Sequence, residues 1–392
     1  MASVGSFDVV VVGGGIAGLW TLARLRQRGF NAILLEKHAL GGVQSIASQG
    51  IIHGGTKYAL GGRLGDSAKA IGDMPRIWSE CLQGSGELDL SAAQVLTSSQ
   101  LLWSGENALS RVAGFFAGKM MQDRMQALKA SQFPPPFDHA AFKGAVYQLN
   151  EPVLDTASLM HSFYQQFGEF CFQTELLQGS TPNRLRCLDR HKQIIEIETK
   201  KLVLTAGKAS ANILQMLGYT LPAMQLRPVH MVMLKGDLPE LYAHCLGASA
   251  NPKVTITSSR IDGQICWYVG GGIAESGIHR DRSQQIKAAK QELAEVLPWL
   301  DFSNVEWATV MLDRAEVETA GNKRPESSFV EQQGDLITVW PTKLAFAPKS
   351  ASQVLALLDE PAEDKLIYSE MNHYFAQPPL ARPPWFDTDW SA

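Results

Sequence analysis

The 392 residues are 45% hydrophobic and 19% charged, the balance of a soluble globular chain long enough for two domains of ordinary size. With 35 basic and 39 acidic residues spread along the whole length and a formal charge of -4, nothing favours nucleic acid as a partner, and an anionic ligand would need local positive groups. The five cysteines, Cys81, Cys171, Cys187, Cys245 and Cys266, form no CxxC pair, which argues against a disulfide framework or a zinc site and for reduced thiols in the cytoplasm.

Residues 9–12, VVVV, are a β-branched run without polar alternation, which predicts a central parallel strand buried on both faces. The following GGGIAGLWTLARLRQRG (13–29) repeats apolar residues near helical spacing and stops at Gly29, and NAILLEK (31–37) predicts a second strand ending in Glu36. Strand, glycine turn, helix, strand and terminal acid make up the dinucleotide-binding unit, with Gly13, Gly15 and Gly18 at GxGxxG spacing. Gly13 permits the tight turn, Gly15 admits a pyrophosphate to the helix N-terminus, and Gly18 lets the helix close on the strand. Glu36 is placed to accept a hydrogen bond from a ribose hydroxyl. No basic segment precedes the apolar residues 9–22, and three glycines interrupt them, so they are not read as a signal peptide. No other stretch reaches the roughly 18 uninterrupted apolar residues of a membrane-spanning helix.

These glycines leave FAD and a nicotinamide dinucleotide both open. The next segment, GGVQSIASQGIIHGGTKYALGG (41–62), is too long for a simple connection. Its Gly and Ser content suits backbone and hydroxyl contacts along an extended anionic cofactor. Residues 101–137, LLWSGENALSRVAGFFAGKMMQDRMQALKASQFPPPF, predict an amphipathic helical stretch rich in Met and aromatics, serving as core packing, a lid or a membrane-surface element. EFCFQTELLQ (169–178) and KLVLTAGKAS (201–210) predict further strands, the second ending in a turn at Ala206 and Gly207.

From 222 to 345 apolar residues recur near every second position. RPVHMVMLKG (227–236), KVTITSSRIDGQICWYVGGG (253–272), VEWATVMLDRAEVET (305–319) and DLITVWPT (335–342) predict antiparallel strands, with Asp262-Gly263 as a hairpin turn and SQQIKAAKQELAEVLPWL (283–300) as an interrupting helix. The chain is therefore expected to be α/β, with a Rossmann-like cofactor domain from 1–80, 146–220 and 330–392. A discontinuous second domain, built on a mixed or antiparallel sheet, takes 81–145 and 221–329. The tail PPLARPPWFDTDW (378–390) cannot continue a helix and is expected along the surface.

Taken together, VVVVGGGIAGL, Glu36, SIASQGIIHGGTKYAL (45–60), VLDTASLMHSFYQQF (153–167), KLVLTAGKAS and RPVHMVML (227–234) are similar, in order, to the D-amino acid oxidase family of FAD-dependent oxidoreductases. That group includes glycine oxidase, sarcosine oxidase and glycerol-3-phosphate dehydrogenase, and the SxGIIHGGxxY piece is nearest the glycerol-3-phosphate and 2-hydroxy acid members. The resemblance implies FAD as cofactor, held by Gly13, Gly15, Ile16, Ala17 and Gly18, by Glu36 and Lys37, by Ser45, Gln49, Gly50 and Ile51, and by Leu176, Ala206 and Gly207. The family's glycine-rich turn before the last helix is replaced by Pro341, Thr342 and Lys343, followed by Leu344. Lys343 there either brings a positive charge to the flavin or points to solvent.

The resemblance also makes His53 a catalytic or flavin-tuning group, with a hydrogen-bonded loop histidine as the bland alternative. Arg314 falls where relatives hold a substrate carboxylate through a bidentate pair, with a strand-end salt bridge as the alternative. Tyr58 and Tyr268, with Trp267 and Trp340, would form an aromatic wall on the substrate. The implied function is oxidation of a small amino acid, amine or 2-hydroxy acid by hydride transfer to flavin N5, with oxygen or a quinone as electron acceptor. A membrane-surface dehydrogenase docking through 101–133 and a flavin-binding protein without turnover are the alternatives.

Overall fold

The computed structural model describes residues 2–54, 71–105, 125–247, 251–361 and 370–391, with the backbone alone for 2–4. Two sheets organise these residues. In the first, β1 (Ala2–Val12) lies between β2 (Ala32–Glu36) and strand Ile194–Leu204, parallel to both. Cys171–Gln173 extends the parallel set beyond β2, and Leu336–Trp340 extends it beyond Ile194–Leu204. Two antiparallel strands, Arg184–Leu188 and Phe329–Gln333, complete the seven.

The unbroken valine run is explained by what covers each face. Val9 and Val11 enter a core with helix α1 (Ile16–Gln27), whereas Val10 and Val12 enter a second core with Leu202, Leu204 and Trp340. A strand with both faces covered has no polar side to show in its sequence. Helix α1 begins at Gly15 and is closed by Gly29 at φ +86, the left-handed value glycine adopts without steric cost. Because β1 sits between strands that follow it in opposite directions across the sheet, the crevice at its C-terminal end is the topological switch point where α/β folds bind ligands.

The second sheet has eight strands in the order Glu306–Val317, Met224–Gly236, Gln264–Gly270, Thr255–Ile261, Ala243–Cys245, Gln100–Ser104, Ala145–Leu149 and Met125–Ala127. All of its pairs are antiparallel except Ala243–Cys245 with Gln100–Ser104, so the sheet is mixed. Asp262 at φ +50 and Gly263 at φ +82 form the two-residue hairpin expected there. Helix Arg282–Val296 covers one face through Ala289 and Leu293. Its first turn is closed by a capping box in which Asp281 accepts the Gln284 N–H at 2.8 Å and Gln284 accepts the Asp281 N–H at 3.1 Å.

Three expectations need correction. Residues 101–104 and 125–127, both within the stretch 101–137 expected to be amphipathic helix, are strands of the second sheet; residues 106–124 lie outside the described residues. The tail does not simply follow the surface, because Trp385 is buried against Tyr268 with ring centroids 5.6 Å apart, and Ser391 bridges to Trp307 through its main chain. Finally, Trp78, Cys81, Leu88 and Leu90 pack in the core of helix α1, while Ala145–Leu149 belongs to the second sheet. The chain therefore passes between the two bodies near 98 and 150, not near 80 and 145.

Candidate active site

At the end of β1, Gly13 at φ +110 turns the chain so tightly that an added Cβ would lie 2.6–2.7 Å from the backbone of Thr205 and Ala206. Thr205 braces the turn by donating its hydroxyl to the carbonyls of Val12 and Gly13 at 3.0 and 2.8 Å. At Gly18 an added Cβ would stand 1.9 Å from the Gly13 carbonyl oxygen, so helix and turn are in direct contact. Gly15 differs: a Cβ added there would meet only Ser45 Oγ, at 3.2 Å, and its φ of -72° is ordinary. The Ile16 N–H donates to Ser45 Oγ at 2.9 Å, so a loop hydroxyl caps the helix, whose own N-cap residue has no side chain to do it. Glu36 accepts the Gly14 N–H at 2.6 Å and the His38 N–H at 2.8 Å.

A cavity of about 1300 Å³ opens over this turn. Every residue expected to contact a dinucleotide lines it except Gly18, whose role is the helix contact just described. Glu36, Lys37 and Leu176 contribute from strand ends on one flank; Gly13, Gly15, Ile16, Ala17 and Ser45 form the turn and its cap; Ala206 and Gly207 border it. Gln49, Gly50 and Ile51 add a loop wall. The Gln49 side-chain amide donates to the carbonyls of Thr255 and Tyr268 in the second sheet. Gly50, at φ +68, accepts the Leu154 N–H at 2.9 Å, and a Cβ there would be 2.0 Å from the Leu154 oxygen.

Thr342, Lys343 and Leu344 line the same cavity. Thr342 has φ +65, a left-handed conformation rare for a β-branched residue; it holds the glycine-like turn with a threonine whose hydroxyl donates to the Ser327 carbonyl at 3.0 Å. The Lys343 ammonium is buried and lies 5.0 Å from the centroid of Phe346, which removes the solvent-pointing alternative.

The second sheet contributes Arg314, on strand Glu306–Val317. Its Nε donates to the Arg227 carbonyl at 3.1 Å, and both terminal nitrogens reach a single oxygen of Glu275 at 3.4 and 3.5 Å. Arg227 is its register partner and is itself paired with the fully buried Glu316 at 3.3 Å. Arg324 also lines the cavity. Burial first, and then the neighbouring Arg227, hold the Arg314 guanidinium below the ordinary arginine value. Two long contacts to one carboxylate oxygen leave the Arg314 fork short of the two parallel bonds it is shaped to make, so an anion arriving in the cavity meets donors able to bind it.

His53 lies in the cavity wall with Nδ1 3.4 Å from Oε2 of the buried Glu151 and its ring stacked on His244, with centroids 5.9 Å apart. Tyr268 and Trp267 are corrected as substrate-wall residues. Both are at most 1% exposed and outside the cavity lining, because successive strand residues enter the opposite cores of the second sheet; of that group, Trp340 does line the cavity. Tyr58 lies outside the described residues. Sequence reasoning missed Gln44, Glu151, Glu275 and Arg324. Glu275 lies in the short helix Gly272–Ser276, just after the glycines that close strand Gln264–Gly270, and this break was the available signal; Glu151 had none.

Among the described residues, no group of His, Cys, Asp and Glu is arranged to hold a metal ion, and no helix is long and apolar enough to cross a membrane. The sequence model of the DAO family, described as FAD dependent oxidoreductase, matches residues 8–319. The chain is 43% identical over 391 residues to the probable FAD-dependent oxidoreductase PA4991 of Pseudomonas aeruginosa, covering 98% of this chain and 97% of the other. The crystal structure of that protein superposes with a TM-score of 0.82 over 99% of both chains at 39% identity. Glycine oxidase from Geobacillus kaustophilus shares the fold at 13% identity, with a TM-score of 0.67 over 92% of this chain and 96% of that one. L-alpha-glycerophosphate oxidase from Mycoplasma pneumoniae, solved with FAD bound, shares it at 14% identity and 0.63 over 92% and 97%.

Proposed function

We propose, for a chain that belongs to the DAO family of FAD-dependent oxidoreductases, that the enzyme oxidises a small amino acid, amine or 2-hydroxy acid, with the carboxylate of an acid substrate held by Arg314. FAD is the cofactor, and the cavity fits it. The side-chain-free backbone at Gly15, the capped N-terminus of α1 and the acid at the end of β2 are the features a diphosphate and an adenosine ribose require. In this reading Ser45, which accepts the Ile16 N–H, has its own O–H to donate toward a phosphate oxygen. Glu36 keeps acceptor capacity beyond the two backbone bonds it makes. Bound there, FAD would supply the two-electron acceptor for a hydride leaving the substrate carbon.

The single observation that carries the substrate assignment is Arg314. A partly buried guanidinium lines the same cavity as the dinucleotide turn and meets its acidic neighbour at the long end of hydrogen-bond range. A carboxylate presented to it gains charge-assisted bonds that Glu275, reached through one oxygen only, does not fully supply. His53 is the chain's candidate to accept the hydroxyl proton of a hydroxy acid.

Anaerobic mixing of the yellow holoenzyme with a panel of amino acids, amines and 2-hydroxy acids, followed by absorbance, tests the reading. A substrate in the panel bleaches the flavin, and Arg314→Met lowers its kcat/KM about 100-fold, mainly through KM. An enzyme bleached equally well after that substitution would remove the carboxylate assignment. Re-oxidation by air or by a soluble quinone analogue then identifies the acceptor.

A further inference from the structure

We infer that Glu151 is a positioning residue for His53, fixing the imidazole as the tautomer with hydrogen on Nδ1 and making Nε2 the nitrogen that accepts a substrate proton. The inference rests on the reading of His53 as a proton acceptor at the substrate end of the cavity. It assigns a role to a residue that no motif in the sequence marks.

Glu151 stands where the chain returns from the second sheet, between strands Ala145–Leu149 and Val153–Leu154. It is only 3% exposed, and its surroundings fix it from several sides. Its N–H donates to the Leu149 carbonyl at 2.8 Å, its carbonyl accepts from the buried amide of Gln100 at 3.3 Å, and its Oε1 accepts the Gly54 N–H at 2.8 Å. The remaining oxygen, Oε2, faces His53 Nδ1 at 3.4 Å. That separation is long for a hydrogen bond, as contacts of catalytic groups often are before substrate binds.

The chemistry of the pair fixes where the hydrogen goes. An ionised carboxylate only accepts hydrogen bonds, so a favourable contact with Nδ1 requires a hydrogen on Nδ1. A neutral imidazole carries one, which leaves Nε2 as the acceptor. The ring is also backed by His244, stacked at 5.9 Å with 29° between the planes. The Nδ1 of His244 meets the Thr255 hydroxyl at 2.8 Å, whereas His53 meets a carboxylate. In a hydroxy acid oxidation the O–H bond breaks, its electron pair staying on oxygen as the carbonyl forms, and the proton makes the new N–H bond at Nε2. The hydrogen on the adjacent carbon leaves with its electron pair to FAD, the oxidant. The imidazolium that results lies beside the Glu151 carboxylate.

Glu151→Gln tests this without changing size. Its amide oxygen can still accept the Gly54 N–H, but its amide nitrogen now donates toward Nδ1 and reverses the preferred tautomer. The experiment records nitrogen chemical shifts of holoenzyme labelled with 15N-histidine at pH 8.5, with His53 assigned by His53→Gln. The expected result is an Nδ1–H signal pair in the wild type and an Nε2–H pair in Glu151→Gln. Alongside it, kcat for a hydroxy acid substrate falls about 100-fold, KM stays within about twofold, and FAD content is unchanged. A wild-type ring protonated on Nε2 or on both nitrogens would overturn the inference, as would a Glu151→Gln enzyme that keeps the wild-type tautomer, even if less active. Should the variant not fold, the wild-type spectrum alone decides. If no panel compound reduces the flavin, the substrate reading fails while the tautomer measurement still judges Glu151.

Discussion

Gln49 is bound to the backbone of Tyr268, and Tyr268 to the backbone two residues before Gln49. The Gln49 amide donates to the Tyr268 carbonyl at 2.9 Å and to the Thr255 carbonyl at 3.0 Å, and the Tyr268 hydroxyl donates back to the Ala47 carbonyl at 3.0 Å. This reciprocal pair fastens the cofactor loop of the first body to the second sheet. Tyr268 thus acts through its bond to the loop, and Tyr268→Phe is expected to cost about 1–2 kcal/mol of stability by leaving a buried carbonyl without its donor, with KM for the substrate unchanged. Gln49→Ala, which strips two carbonyls, costs more and weakens FAD retention. Thermal melts with and without added FAD, set beside steady-state KM, check both; a raised KM in Tyr268→Phe at unchanged melting temperature would return Tyr268 to the substrate site.

The glycines of the turn separate into two kinds, and substitution should expose the difference. Gly18→Ala drives a methyl into the Gly13 carbonyl, 1.9 Å from the new carbon, in a place where only backbone can yield; we expect no folded protein. Gly15→Ala meets only Ser45 Oγ at 3.2 Å and needs no unusual dihedral. Its apo stability should stay within about 1 kcal/mol of wild type, while FAD affinity falls at least tenfold, about 1.4 kcal/mol, because the methyl stands at the helix N-terminus. Flavin fluorescence titration of the refolded apoprotein measures the second effect and circular dichroism the first.

The first body was legible because its signals are local. Residues 9–12 show a strand covered on both sides, Gly13 to Gly18 a turn with no room for side chains, and Glu36 a strand end, all within 30 residues of one another. The second body was legible in part: the strands around Asp262-Gly263 announce themselves by alternation and turn chemistry. Residues 101–104 and 125–127 were misread because their burial depends on partners 20 or more residues away in the strands Ala145–Leu149 and Ala243–Cys245. Alternation also gave no sign of which side of the second sheet faces the cavity, so Tyr268 and Trp267 were expected on the substrate. Glu151 and Glu275 matter through contacts with residues 98 and 39 positions away, His53 and Arg314, and nothing in their own neighbourhoods records this.

Lys343 should tune the flavin. Its buried ammonium lies in the cavity wall at the turn that replaces the family's glycines, where a positive charge favours the reduced, anionic form of a bound flavin. Lys343→Met removes the charge at similar length. The two-electron potential is expected to fall, by about 30 mV for each ~1.4 kcal/mol of lost stabilisation, and the affinity of the flavin for sulfite to fall with it. Dye-coupled reductive titration gives the potential. An unchanged value would mean that the ammonium is too far from the ring to be felt, leaving its contact with Phe346 as its role.

Alkaline pH should unfold the protein through its thiols. All five cysteines are buried and unpaired with one another, and burial pushes Cys187, Cys245 and Cys266 from an ordinary 9.0 up to about 12, with Cys81 and Cys171 shifted in the same direction. Below pH 9 these groups are protonated in both states and cost nothing. Above it the unfolded chain releases protons that the folded chain retains, so the unfolded state gains, by about 1.4 kcal/mol per thiol for each pH unit. Three thiols together remove about 4 kcal/mol per unit between 9 and 12, against a total stability of order 5–15 kcal/mol. Urea melts at pH 8, 9.5 and 10.5 should therefore show midpoints that hold to about pH 9 and then drop steeply. The same burial predicts that a disulfide reagent titrates no thiol at pH 8 until denaturant is added; rapid native labelling of even one cysteine would contradict the packing from which the alkaline instability follows.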